Sequence, residues 1–470
     1  EESQALRLFE ASNVTPEDRA QVCTIVQDTR SSIAMSFART NQFAEAHAQL
    51  DLVLREVEQP PAALLDASSR RDWLLNSVEV HDQRGAVWSM QGESDRAIQS
   101  FELALDQLER LPSDIQQHEL ARGTRLGLLQ RLGQICLQRR DWQRGAKWLD
   151  ASVTALEERV KHDPDVVEYR AQLAEVLGSR ATNHRELHDA AGSLADHDRS
   201  IALLENVILD APDELHHRRR LAIAFAERAG TRFTGGNKQG ALDDLDAAEQ
   251  RFTEVLQLAP NDALAVANYA AVLGNHARTL ADNGDLTKAR EKAQFAIDIA
   301  RGRIAGESAR SLIELLTLAS DLAMQDMDVE AGKIWIAEAT DRAKAWLQER
   351  PEDTLRQATT AMILSNRATM HLQLREHERA IELWLESLPI ARPAAKSSPF
   401  GKQVLAVILL RLADVSVRDN NLAKAREWFA AAIQETGATK ARMRAYAPLA
   451  ALFDNKALQD LLPANQPTSK

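Results

Sequence analysis

This chain of 470 residues has two cysteines, Cys23 and Cys136, and no CxxC pair. That excludes a disulfide framework and thiolate metal or redox motifs, and both thiols read as small apolar fillers. Alternating runs of Val, Ile and Thr are missing, so no strands are expected. No apolar stretch of about 18 residues occurs, which leaves no membrane span. Positive charge is not in surplus either: 57 Lys and Arg face 69 Asp and Glu, for a net charge of −12. Such a balance lacks the basic footprint of nucleic-acid or anionic-membrane binding. The cluster Arg218–Arg220 reads as a solvated helix face. The chain opens on Glu1 with no signal peptide, so a cytoplasmic protein, or a piece of a longer one, is expected.

What is present is repetition. Ala, Leu, Glu, Arg and Gln dominate, and the 14 Pro and 19 Gly lie mainly between periodic runs, which predicts an all-α fold. Pro164, Pro212 and Pro260 return every 48 residues, in HDPDVVEY, DAPDELHH and LAPNDALA. A fixed period of that size marks stacked units, none of which buries its apolar face alone. Small residues pair across each unit: Gly85 with Ala97, Ala277 with Ala289, Gly133 ahead of Trp142, and Ala319 ahead of Trp335. The second-helix anchors read Ala46, Ala97, Gly145, Ala241, Ala289, Ala331, Ala380 and Ala425, with a degenerate unit hidden around Ser193. They divide residues 1–470, read as one array, into nine helical hairpins: 15–60, 72–112, 118–162, 165–211, 213–259, 262–302, 308–350, 354–391 and 402–436. Capping helices over 440–462 and a frayed tail, 463–470, should follow. Pro60–Arg70, Gly302–Ser308 and Ala391–Lys402 read as loops, the last as the best hinge.

The small-residue anchors resemble those of tetratricopeptide repeats (TPR), although the period is about 47 residues against the usual 34. The strings PDVVEYRAQLA and PDELHHRRRLA narrow the resemblance to long-period bacterial arrays, which often follow serine/threonine kinase domains. The resemblance implies a right-handed α-solenoid of antiparallel helix pairs, a TPR-like superhelix that binds a protein or peptide along a groove lined by the first helices. Counted from the anchors, that groove would include Glu79, Asp82, Gln130, Gln134, Gly274, Arg278, Leu316, Ser365 and Asp414. An amphipathic helix or extended peptide suits such a surface.

Chemistry finds little purchase. His184 and His188 are four apart and could share a helix face, but HRELH is not the HExxH of a zinc protease. Thr234–Gly240, TGGNKQG, lacks the GK[ST] ending of a phosphate loop and reads as an inter-helix turn. Trp88, Trp142, Trp148, Trp335, Trp384 and Trp428 fall at packing positions. Asp243 and Asp244 read as exposed helix charges, and no kinase motif occurs. The expectation is a signalling scaffold without catalysis, metal or cofactor. The alternative is the regulatory or substrate-docking arm of a larger bacterial kinase whose catalytic domain lies outside this chain.

Overall fold

Ala- and Leu-rich runs with a 3.6-residue apolar period can bury one stripe each, and they do so as helices. The computed structural model describes residues 16–57, 67–303, 309–443 and 446–462, and among these there is no strand. The chain divides into two compact units, the first ending at Asn237 and the second beginning at Lys238. That boundary falls inside the expected 213–259 hairpin, in the Thr234–Gly240 turn.

The first unit contains α1 (Pro16–Arg39), α2 (Phe43–Val57), α3 (Ala67–Met90), α4 (Ser94–Glu109), the single turn α5 (Ser113–Gln116), α6 (Glu119–Gln138), α7 (Trp142–His162), α8 (Val167–Glu186), α9 (Ala190–Asp210) and α10 (Leu215–Thr234). The second contains α11 (Lys238–Leu258), α12 (Ala263–Asp282), α13 (Leu286–Arg303), α14 (Ala309–Gln325), α15 (Val329–Glu349), α16 (Thr354–Gln373), α17 (His377–Ser397), α18 (Pro399–Arg418), α19 (Leu422–Thr436) and α20 (Ala447–Ala451). Within each unit, helices pack as hairpins, each second helix also packs on the next first helix, and first helices touch one another. Each unit is thus an α-solenoid segment of antiparallel pairs. In the second unit, Glu249 of α11 ties three helices together, joining His276 of α12 and, at 2.5 Å, the Lys292 ammonium of α13.

One turn chemistry recurs after the first helices. A left-handed residue ends the first helix: Asn41, Gly92, Arg140, His188, Gly236, Gly284, Met327, Arg375 or Asn420. The next residue's N–H reaches back five positions at 2.8–2.9 Å, as from Asp141 to Cys136 and from Asp328 to Ala323. This is the Schellman closure of a helix end. That next residue often caps the second helix as well: the side chains of Asp141, Asp189, Asp328 and Asn421 accept from Arg144, Gly192, Ala331 and Lys424. Met327 gains nothing from its left-handed φ of 61°, being 82% exposed. Met327→Gly should therefore raise stability by about 0.5–1 kcal/mol in urea unfolding; an unchanged midpoint would contradict this.

Counting from that turn corrects the sequence register in one hairpin. The buried small residue five places after the turn is Ala46, Ala97, Gly145, Ser193, Ala241, Ala289, Ala380 or Ala425. In the hairpin built on Met327 the same count gives Gly332, which is buried, and not Ala331, which is half-exposed. Seven places before the turn the close-packing residue is Gly85, Gly133 or Ala277, and here Ser320 in place of Ala319. The Ser320 hydroxyl donates to the Gly332 carbonyl at 2.9 Å, and a Cβ on Gly332 would meet Met324 Sδ at 2.9 Å. Two adjacent small residues at each site hid the one-residue slip.

Three other expectations change. Ala391–Lys402 is not a loop: α17 runs to Ser397 and α18 begins at Pro399, with Ser398 accepting from the Gly401 N–H at 3.3 Å. Pro389 and Pro393 lie four apart on the exposed side of α17, so the carbonyls they leave unpaired, those of Leu385 and Pro389, open to water. The 440–462 cap is not a pair of helices but α20 and two 3₁₀ turns, Leu452–Asp454 and Gln459–Leu461. Leu449 and Leu458 are fully buried there, and Phe453 packs edge-on against Phe429 at 5.0 Å. Of the tryptophans placed in the core, Trp148 and Trp384 are buried while Trp88, Trp142, Trp335 and Trp428 are only half-buried. The loops expected at Pro60–Arg70 and Gly302–Ser308 lie largely outside the described residues, as does the tail 463–470; Ala67–Arg70 belong to α3, and Gly302 and Arg303 to α13.

Candidate functional site

In the middle of α8 small residues recur on one side: Ala171, Ala174, Gly178 and Thr182. Residues three and four apart share a helix face, so this face lies low, and the flanking helices α6 and α10 leave a cleft of about 310 Å3 above it. Gln134 and Leu137 of α6 form one wall, and His216, His217, Arg220, Ile223 and Glu227 of α10 form the other. Ser200 and Leu204 of α9 close the floor, where the Ser200 hydroxyl donates to the Ala174 carbonyl at 2.6 Å.

The rim is charged and mostly paired. Gln172 Nε2 donates to Glu168 at 2.8 Å, Glu175 lies against Arg220, and the His216 and His217 rings lie 3.7 Å apart, tilted by 46°. Burial, with His216 adding, pushes the His217 imidazole below its ordinary value. Burial pushes the Glu227 carboxyl up to about 7, against the opposing pull of Arg185 and Arg220. Arg220 itself is lowered by desolvation although Glu227 supports its charge.

The sequence-derived groove residues fall in different settings. Glu79 and Asp82 of α3 come together with Asp28 of α1, and all three carboxyls are pushed up, chiefly by burial. Gln83 donates to Glu79 at 3.1 Å and Arg131 pairs with Asp82. Gln130 is half-buried on α6, and Gln134 is exposed at the cleft mouth. Arg278 is exposed on α12, donates to Asn275 Oδ1 at 3.0 Å and faces Asp321 of α14. Protein crowded around Asp321 pushes its carboxyl up to about 6, with Arg278 opposing. Asp414 is largely buried and pairs with Arg418 at 2.8 Å.

Three of the residues do not line a groove. Ser365 is buried and accepts from the Trp384 indole N–H at 3.1 Å within its own hairpin. Gly274 is buried where a Cβ would meet Leu315 at 2.9 Å, and Leu316 is fully buried. Long first helices pack this side of the chain against the next first helix. Register slip does not account for Leu316: counted from the turn, the position equivalent to Gly274 in that hairpin is Thr317, which is buried as well.

Other candidates resolve into local structure. His188 lies in the turn beyond α8 and not on a helix face with His184, whose Nδ1 is 2.9 Å from Asp189. Arg218–Arg220 is no uniform face: Arg218 donates to the Pro212 carbonyl at 3.0 Å, and Arg220 enters the cleft. Asp244 is buried, whereas Asp243 is exposed. Cys136 is buried, and its thiol is pushed up to about 11 by desolvation first and Asp141 second, which disarms it as a nucleophile. Among the described residues, no three His, Cys, Asp or Glu side chains converge as a metal would require, and no helix is long and apolar enough to cross a membrane.

No family model and no curated protein matches the chain. Among solved structures it is similar to the apo form of the quorum sensor NprR from B. thuringiensis, at 12% identity over 87% of this chain and 98% of that one, with a TM-score of 0.49. It is similar to the apo form of RapI at 12% identity over 87% and 97%, with a TM-score of 0.49. It is also similar to a tetratricopeptide repeat protein from Parabacteroides merdae, at 13% identity over 67% and 93%, with a TM-score of 0.39. Likeness at this level concerns the helical-repeat fold alone.

Proposed function

We propose that this chain is a non-catalytic repeat scaffold that holds a peptide or protein segment against its first-helix faces. The observation that carries the reading is the cleft on α8, walled by α6 and α10 and preformed by side chains too small to fill it. A volume near the lower end for ligand sites takes one side chain of a bound segment, while the polar rim meets its backbone. Glu79, Asp82, Gln130, Gln134, Arg278 and Asp414 are proposed as further contacts, each contributing modestly because such surfaces concentrate energy in few residues.

Selection from a displayed random-peptide library on the intact protein tests this. Ser179→Trp, which fills the cleft from α8, should weaken selected peptides by about tenfold or more, and Arg278→Ala by about threefold. Both variants should unfold at the parent's temperature. Peptides that bind the Ser179→Trp protein as tightly as the parent, or a library that yields no specific binder, would overturn the reading.

A further inference from the structure

Building on that reading, we infer that the cleft receives a cationic side chain, an arginine or lysine of the bound segment, with Glu227 as its counter-ion. Among the described residues, one charged group facing the cleft is left without a partner. Three carboxylates and several cations face the space. Glu168 is occupied by Gln172, Glu175 by Arg220, and Arg185 lies 3.4 Å from Glu186. His216 has Glu214 at 3.3 Å. The Glu227 carboxylate has neither a hydrogen bond nor an ion pair among the described residues, only the more distant fields of Arg185 and Arg220.

Space is reserved beside it. A Cβ on Gly178 of α8 would stand 3.5 Å from Glu227 Oε2, so glycine keeps the opposite wall one atom back. Glycine inside a helix costs about 1 kcal/mol relative to alanine, and Gly178 has no turn or cap to justify it. Ala171, Ala174 and Ala224 give the approach an apolar sleeve, which suits the methylene stem of a long basic side chain. An unpaired carboxyl crowded by protein rests partly protonated at neutral pH, as its value of about 7 indicates. A cation arriving beside it restores the carboxylate. Binding and ionisation are thereby linked, and affinity rises with pH as Glu227 loses its proton.

The probe is n-butylguanidinium, with neutral n-butylurea as its match in shape, titrated into the intact protein and followed by ligand-observed NMR. Saturable binding of the guanidinium is expected, with affinity about tenfold greater at pH 8 than at pH 6, because the ionised fraction of a group of pKa near 7 changes by that factor. The urea should show no such rise. Glu227→Gln should remove most of it; a rise that survives intact belongs to His216 and His217 and overturns the assignment. Equal binding of guanidinium and urea by the parent protein overturns it with no variant at all. The two readings fail separately. Peptides that need the cleft but ignore Glu227→Gln sink the counter-ion alone, whereas guanidinium bound through Glu227 without any cleft-dependent peptide sinks the scaffold.

Discussion

Exchanging His197 for leucine should flatten the acid side of the first unit's stability curve. His197 lies on α9 with no exposed surface, and neither ring nitrogen has a hydrogen-bond partner. Its neighbour Asp196 cannot serve, because both carboxylate oxygens are taken by Arg180 at 2.7 and 2.8 Å. Burial, with Arg185 and Arg228 adding and Asp196 and Asp198 opposing, pushes the imidazole down to about 4. The folded value is thus below the unfolded one of about 6.5, so the unfolded chain takes the proton first as pH falls. Stability should be lost between about pH 6.5 and 4 and level off below, with about 2 kcal/mol gone by pH 5. His197→Leu removes that slope, and it removes two unsatisfied polar atoms as well, which should add about 1 kcal/mol at pH 7.5. Urea unfolding of both proteins at pH 7.5 and pH 5 decides: parallel losses in parent and variant would mean that His197 finds a partner or water.

That histidine shows where sequence reading stops. A His at a helical packing position looks the same whether or not its ring finds an acceptor, and here the acceptor is withdrawn by an arginine 16 residues away. The hairpins were legible because small anchors and turn residues act locally: a left-handed turn residue fixes which position five later must be small. Where Ala and Gly or Ala and Ser stand side by side, as at Ala331-Gly332 and Ala319-Ser320, pattern cannot choose and the register slipped by one. The cleft was not legible. Its charges meet across 45 residues, as Glu175 and Arg220 do, and each taken alone looks like solvated helix surface. The one available signal was Gly178, a helix-interior glycine with no turn to make.

The other large effect is expected at Gly401, where the sequence suggests slack and the packing shows none. A Cβ there would fall 2.4 Å from both the carbonyl carbon and oxygen of Ala394 and 2.8 Å from the Ala395 nitrogen. These are backbone atoms of α17, so no rotamer change relieves the clash, and α17 or α18 must shift. Gly85 offers the contrast: a Cβ there meets the Phe101 ring at 2.4 Å, and a side chain can turn aside. Ala391, Ala394, Val404, Leu405 and Ile408 around the junction are buried, and a shift there opens this core. Gly401→Ala should cost about 3 kcal/mol in urea unfolding of the second unit, the upper range for overpacking. Ser398→Ala, which removes only the α18 cap, should cost about 1 kcal/mol. If Gly401→Ala unfolds at the parent's urea concentration, α17 and α18 separate at little cost and Ala391–Lys402 is a hinge after all. A loss larger than that of Ser398→Ala makes the junction a rigid weld, held by the close approach that only glycine permits.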